Sequence, residues 1–173
     1  MKKICVLLLL LCLCFAVACA ESEQSVSEEV FDAGNVQALV PKGWKAFPYA
    51  DYFSEDPNAT DPDIIRVCKG GKTEADLFSK PYLQINYYGP DIEMGSVELF
   101  YDNIVALAPQ QIGNYTWNGF TTNDYGGTNA ILYTTDGEHQ FQVSVWMGDN
   151  EIHLEDADVQ AIIASITLSA DAS

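Results

Sequence analysis

Positive charge is scarce in this chain. Eight Lys and Arg stand against 25 Asp and Glu in 173 residues, a net charge of −17. Two of the eight, Lys2 and Lys3, lie at the very start, and removing a leader there leaves six basic residues against 25 carboxylates, a net of −19. Such a surface repels phosphate backbones and anionic lipid, which excludes nucleic acid as a partner and leaves an N-terminal lipid as the route to a membrane. Cysteine is scarce too once the first 19 residues are passed, where only Cys68 remains. One thiol cannot make an internal disulfide, so no disulfide framework holds the fold. Cys68 lies in "IIRVCKGG" and reads as a small apolar strand residue.

Catalytic signatures are missing as well. There is no Gly-x-Ser-x-Gly elbow, and the Gly-Gly-Lys of 70–72 lacks the strand–loop–helix setting of a phosphate loop. His139 and His153 are the two histidines. They stand apart from any Cys or His that would complete a zinc site, and both read as surface residues. Carboxylates are so numerous that pairing two of them as acid and base would be arbitrary. The reading is therefore of a non-enzyme that needs no cofactor.

What is present begins with the leader. Met1-Lys2-Lys3 is followed by the apolar run 4–15 and the small residues of 16–20, the form of an export signal. At 17 residues the apolar run 4–20 falls short of the roughly 20 that span a bilayer. Two cleavages compete. One falls before Cys19, where Ala16-Val17-Ala18 would lead a lipid-modified cysteine; the other falls after Ala20. The first makes a membrane-anchored lipoprotein and is favoured over simple secretion. Residues 1–20 are thus the signal, 21–29 ("ESEQSVSEE") a polar tether, 30–168 a single domain and 169–173 a tail. Localisation is extracytoplasmic in either case.

Within the domain, 30–48 predicts two strands around Ala33-Gly34-Asn35, then a turn at Pro41-Lys42-Gly43-Trp44. Residues 49–63 predict a long acidic loop. Strands follow at 64–69 and 82–89, the second with Leu83, Ile85 and Tyr87 alternating against Tyr82, Gln84, Asn86 and Tyr88. Over 96–108 the period changes. Val97, Phe100, Tyr101, Ile104, Val105 and Ala108 fall on one helical stripe, with Ser96 as N-cap and Pro109 beyond the end. Three strands are predicted over 115–127, 129–138 and 139–148, the first irregular and broken near Asn118-Gly119, the last two joined at Asp136-Gly137. A second helical stripe, Val159, Ile162, Ile163 and Ile166, closes the domain. The expected fold is α+β, an antiparallel sheet covered by two helices.

This order of elements resembles the PsbP-like α/β/α fold, as found in bacterial exported lipoproteins. The carrying residues are "VPKGW" (40–44), the middle helix, the three strands and "LEDADVQAIIASI" (154–166). The resemblance implies a non-enzymatic binding or assembly module and assigns no functional residue.

Two clusters carry what chemistry the residues offer. Tyr49, Tyr52 and Phe53 open the acidic loop, and Tyr115, Trp117 and Tyr125 gather in a strand rich in Asn and Thr. Tyr and Trp bring large area with polar tips, so these six form the candidate binding surface. Asp56, Asn58, Asp61 and Asp63 offer the oxygen donors that Ca²⁺ takes, but without the Gly and Glu of an EF-hand loop. The function expected is an exported, lipid-anchored interaction or assembly module with an unknown protein partner. The alternative is an extracytoplasmic binder of a metal ion or a glycan.

Overall fold

The computed structural model describes residues 28–92, 94–123 and 127–170. The leader, Cys19, most of the tether, Tyr125 and the last three residues lie outside the described residues.

Alternation of apolar and polar side chains builds most of the molecule. Gly34, at φ +128°, turns the chain between β1 (Glu29–Asp32) and β2 (Val36–Val40), and Asp32 Oδ1 accepts the Gly34 N–H at 2.9 Å. Gly43, at φ +81°, makes the next turn, and the buried Trp44 opens β3 (Trp44–Ala50). β5 (Tyr82–Tyr88), β8 (Tyr115–Thr122), β9 (Asn129–Thr135) and β10 (Gln140–Trp146) fall within their predicted runs, while β4 (Thr60–Lys69) contains the predicted 64–69 and starts earlier. Three short strands complete the set: β6 (Val105–Ala106), β7 (Gln110–Ile112) and β11 (Thr167–Leu168).

Two sheets result. The large one runs β3-β4-β5-β10-β9-β8-β6, with β7 also on β8; the small one runs β1-β2-β11. All pairings are antiparallel. The small sheet and the one α-helix among the described residues, α1 (Ala157–Ala164), lie on one face of the large sheet. Between them sits the main core, where Leu83, Ile85, Val143, Val145 and Trp117 meet Val36, Ala38, Val159 and Ile163. α1 forms where the second stripe was predicted, with Asp156 as N-cap and Asp158 in its first turn, where negative charge suits the helix dipole.

This mostly-β sandwich overturns the expected α+β sheet covered by two helices. The middle helix does not form, and the PsbP-like resemblance loses one of the elements it rested on. Residues 97–100 make one 3₁₀ turn (Val97–Phe100). Tyr101 then goes extended (φ −129°, ψ 143°), and Asn103 takes φ +51°. Asp-Asn pairs favour local turns over helix, and the β-branched Ile104-Val105 that follows favours a strand. β6 therefore joins the sheet edge, with Val105 opposite Thr121. Of the predicted stripe, Val97 alone is fully buried.

The acidic loop is also shorter than expected, because β3 extends to Ala50 and β4 begins at Thr60. A register shift between Pro48 and Tyr49 lets both strands run past their prolines. β8 is not broken at Gly119. The absence of a side chain there lets β9 approach, since a Cβ would lie 2.2 Å from the Ile131 carbonyl oxygen.

Candidate binding face

A strand shows alternate residues to opposite faces, so burying Leu83, Ile85, Val143 and Val145 turns their neighbours outward. The outward set on β5 is Tyr82, Gln84, Asn86 and Tyr88; on β10 it is Gln140, Gln142, Ser144 and Trp146. Register places Tyr82 opposite Trp146, Gln84 opposite Ser144, Asn86 opposite Gln142 and Tyr88 opposite Gln140. Cross-strand neighbours flank the floor, Arg66 beside Gln84 on one side and Tyr133 beside Gln142 on the other, while Ile131, beside Ser144, is fully buried. None of the eight outward residues on these two central strands is charged.

The floor is ordered by its own contacts. The Tyr82 and Trp146 rings stack, 5.7 Å apart and 11° from parallel. Gln84 Nε2 donates to Asn86 Oδ1 at 3.1 Å, and the Tyr88 hydroxyl donates to Gln142 Oε1 at 3.4 Å. Arg66 lies over the Tyr49 ring at 4.8 Å, donates to the Pro48 carbonyl at 2.7 Å and reaches Glu74 at 3.4 Å. Its Nε is buried with no hydrogen-bond partner. Burial pushes the Tyr82 hydroxyl up, so that it stays neutral.

Two 3₁₀ turns rise over opposite corners of this face. The first (Glu74–Phe78) is tied down by Asp76, whose Oδ2 accepts the N–H groups of Lys72 at 2.8 Å and Thr73 at 2.9 Å, while Oδ1 meets Lys80 Nζ at 3.0 Å. Those backbone bonds, with Lys80, hold the Asp76 carboxyl well below the usual carboxylate range. The second turn (Val97–Phe100) packs Val97, Met94 and Tyr101 over Phe120, Ile131 and Tyr133 as a small second core. There Glu98 Oε1 accepts the Tyr133 hydroxyl at 2.5 Å, which lowers the Glu98 carboxyl and raises the Tyr133 phenol. Each turn ends in an exposed phenylalanine, Phe78 at 94% and Phe100 at 76%.

Hollows remain beside the two turns. One of about 450 Å³ has Tyr82, Trp146 and Asn129 as its floor, with Leu77 to Lys80 on one side and Asp149 and Glu151 on the other. A second of about 330 Å³ has Tyr88 and Gln142 beneath Met94, Phe100 and Tyr101. Both open on the same face, at opposite ends of β5.

The six predicted surface aromatics are dispersed. Trp117 is completely buried and donates its indole N–H to the Ile112 carbonyl at 3.2 Å, which makes it a core residue instead of a surface contact. Tyr115, half-buried, meets Trp117 and Phe141 on the core side. Tyr49 sits at the border of the open face, edge-on to Tyr52 at 5.8 Å, while Tyr52 and Phe53 project from the β3–β4 loop. Tyr125 lies outside the described residues.

The oxygen donors do not converge. Asp56 accepts the Asn58 N–H at 2.9 Å, Asp61 accepts the Asp63 N–H at 2.9 Å, and Asp63 accepts from Asn35 Nδ2 at 2.8 Å. Among the described residues no three His, Cys, Asp or Glu side chains gather as a metal ion would require. His139 Nδ1 lies 3.1 Å from the Tyr87 hydroxyl, and His153 is exposed. Cys68 is buried under Gly71, and burial raises its thiol, so it is held as the unreactive thiol form.

The open face is not among the surfaces predicted from sequence, although its signal is present there. An alternating strand whose outward positions are Tyr, Gln, Asn and Tyr, in a chain with 25 acids, is unusual for a face meant only for water.

No family model matches the chain, and no curated protein does. Among solved structures it is similar to a protein of Bacteroides thetaiotaomicron VPI-5482 solved at 1.50 Å, at 12% identity and a TM-score of 0.45. That likeness covers 84% of this chain and 49% of the other, so this chain spans about half that protein's length. No property is carried across at that level of similarity.

Proposed function

We propose that this protein is an extracytoplasmic, non-enzymatic binding module, held at the membrane by lipid on Cys19, that captures its partner on the open face of the large sheet. One observation carries the reading. The sheet buries one face under β1, β2, β11 and α1, yet leaves the other with aromatic and amide side chains between two turns that each present an exposed phenylalanine. Half-buried Tyr and Trp rings with hydrogen-bonding neighbours and exposed apolar rims make an interface of ordinary chemistry. Among the described residues no helix is long and apolar enough to cross a membrane, so anchorage rests on the leader region.

Capture from a cell-envelope extract tests the face. Trp146→Ala and Phe100→Ala proteins are expected to lose the partner retained by wild type, while Phe53→Ala, at the β3–β4 loop, retains it. Equal capture by all four would refute the open face as the working surface. The anchor is tested separately by intact mass. A mature chain beginning at acylated Cys19 supports it, and one beginning at Glu21 without acyl chains excludes it.

A further inference from the structure

We infer that the groove on the open face binds a neutral oligosaccharide; the inference rests on that face being the working surface. The first argument is charge. In a chain of net −17, the outward residues of β5 and β10 are three Gln, one Asn, two Tyr, one Trp and one Ser. Carboxylates stand on the rims, as Glu74, Glu98, Asp149 and Glu151, and none is among the outward residues of β5 and β10. A cationic ligand would find no counter-charge beneath it; an anionic one would find only Arg66, already facing Glu74 at 3.4 Å, and would have to approach through the protein's own negative field. A neutral, hydroxylated chain meets neither obstacle.

The second argument is the type of group offered. Amide side chains carry a donor and an acceptor in one plane, and a sugar hydroxyl is both at once. Gln84, Asn86 and Gln142 form a row of such groups along the groove, with Arg66 beside Gln84. At one end the parallel Tyr82 and Trp146 rings make an apolar platform with polar tips, the surface on which the C–H face of a pyranose ring rests.

The third argument is shape. From Tyr82 to Tyr88 the floor runs seven residues, about 20 Å at roughly 3.3 Å per residue, with a hollow at each end. That length suits several linked sugar rings and is excessive for a single one. The reading therefore names a chain, with one unit stacked at Trp146 and another beside Tyr88.

Titration of the full chain in detergent with the hexasaccharides of β-1,4-glucose, α-1,4-glucose, β-1,4-xylose, β-1,4-mannose and β-1,4-N-acetylglucosamine tests this. Tryptophan fluorescence and calorimetry are the readouts. At least one sugar is expected to bind with a change in Trp146 emission, since Trp44 and Trp117 are buried away from the groove. Trp146→Ala is expected to weaken that affinity at least about tenfold. Gln142→Ala is the second variant, milder to the fold, and is expected to weaken binding without lowering the melting temperature. Binding of none of the five overturns the inference, as does binding that both variants leave unchanged. A parallel arm separates this failure from that of the wider reading. If envelope capture requires Trp146 but the captured material resists periodate and is destroyed by protease, the partner is a protein. The open face then stands and the oligosaccharide falls.

Discussion

The two faces of the large sheet are made from the same strands and follow different rules. On the covered face β5 and β10 contribute Leu83, Ile85, Val143 and Val145, all fully buried. On the other face the same strands contribute Gln, Asn, Tyr and Trp, mostly half-buried and joined by side-chain hydrogen bonds. The first face holds its place by excluded water and close packing; the second holds side chains in position while leaving them reachable. The period of two in each strand is what allows one backbone to serve both purposes. The contrast predicts that the same substitution will do different things on the two sides.

Tryptophan supplies the sharpest version. Trp117 is completely buried in the main core, with its indole N–H bonded to the Ile112 carbonyl. Trp117→Ala is expected to cost about 3–5 kcal/mol in urea or thermal unfolding, the range for removing a large aromatic from a close-packed interior. Trp146 lies on the open face against Tyr82, and Trp146→Ala is expected to cost about 1 kcal/mol, near the value of a stacked aromatic pair. Similar losses for both would mean that the open face is a second core, and the functional distinction would collapse.

A smaller effect tests how tightly the sheet itself is built. Gly119→Ala would put a methyl 2.2 Å from the Ile131 carbonyl oxygen and 2.8 Å from Leu132 Cδ2. Backbone cannot give way as a flexible side chain can, so a loss of about 1–3 kcal/mol is expected, the usual cost of overpacking. Gly137→Ala at the β9–β10 turn, where an added Cβ would meet nothing within 4 Å beyond its chain neighbours, isolates the cost of φ +99° alone. A Gly119→Ala protein as stable as wild type would show that β8 and β9 are further apart than their register implies.

The covered face was legible in the sequence, and the open face much less so. Leu83, Ile85, Phe141, Val143 and Val145 could be placed inward from alternation alone, and Val159, Ile162 and Ile163 from helical spacing. The stripe at 96–108 misled because apolar spacing of three and four fits a helix and equally a 3₁₀ turn followed by an edge strand. What separated them was local: Asp102-Asn103 breaking the helix and Thr121 offering Val105 a strand to pair with. No local pattern could have announced β7 or β11, three and two residues long, because their partners lie elsewhere in the chain. The aromatic cluster at 115–125 misled for a related reason. Tyr115 and Trp117 alternate inward in β8, so polar neighbours such as Asn118 mark the opposite face and not the setting of the tryptophan.

The last and smallest test concerns the turns that border the open face, since each hangs on one carboxylate. Glu98 holds the second turn through the Tyr133 hydroxyl, and that bond lowers the Glu98 carboxyl from its ordinary value of 4.5. A carboxyl lowered in the folded state stabilises it fully above the unfolded value. That contribution fades as the pH falls through the lowered folded value, where both states take up the proton. Tyr133→Phe removes the donor and keeps the ring over Phe120 and Ile131. The variant should melt below wild type near neutral pH, and the gap should close as the pH drops well below 4.5. Asp76, lowered by the Lys72 and Thr73 N–H groups, works in the same direction at the first turn. Acid should therefore loosen the borders of the open face while Leu83, Ile85 and Val143, which carry no titrating group, stay packed. Hydrogen exchange at Val97–Phe100 and Glu74–Phe78 that does not rise in acid ahead of exchange in β5 and β10 would refute this difference between the two faces.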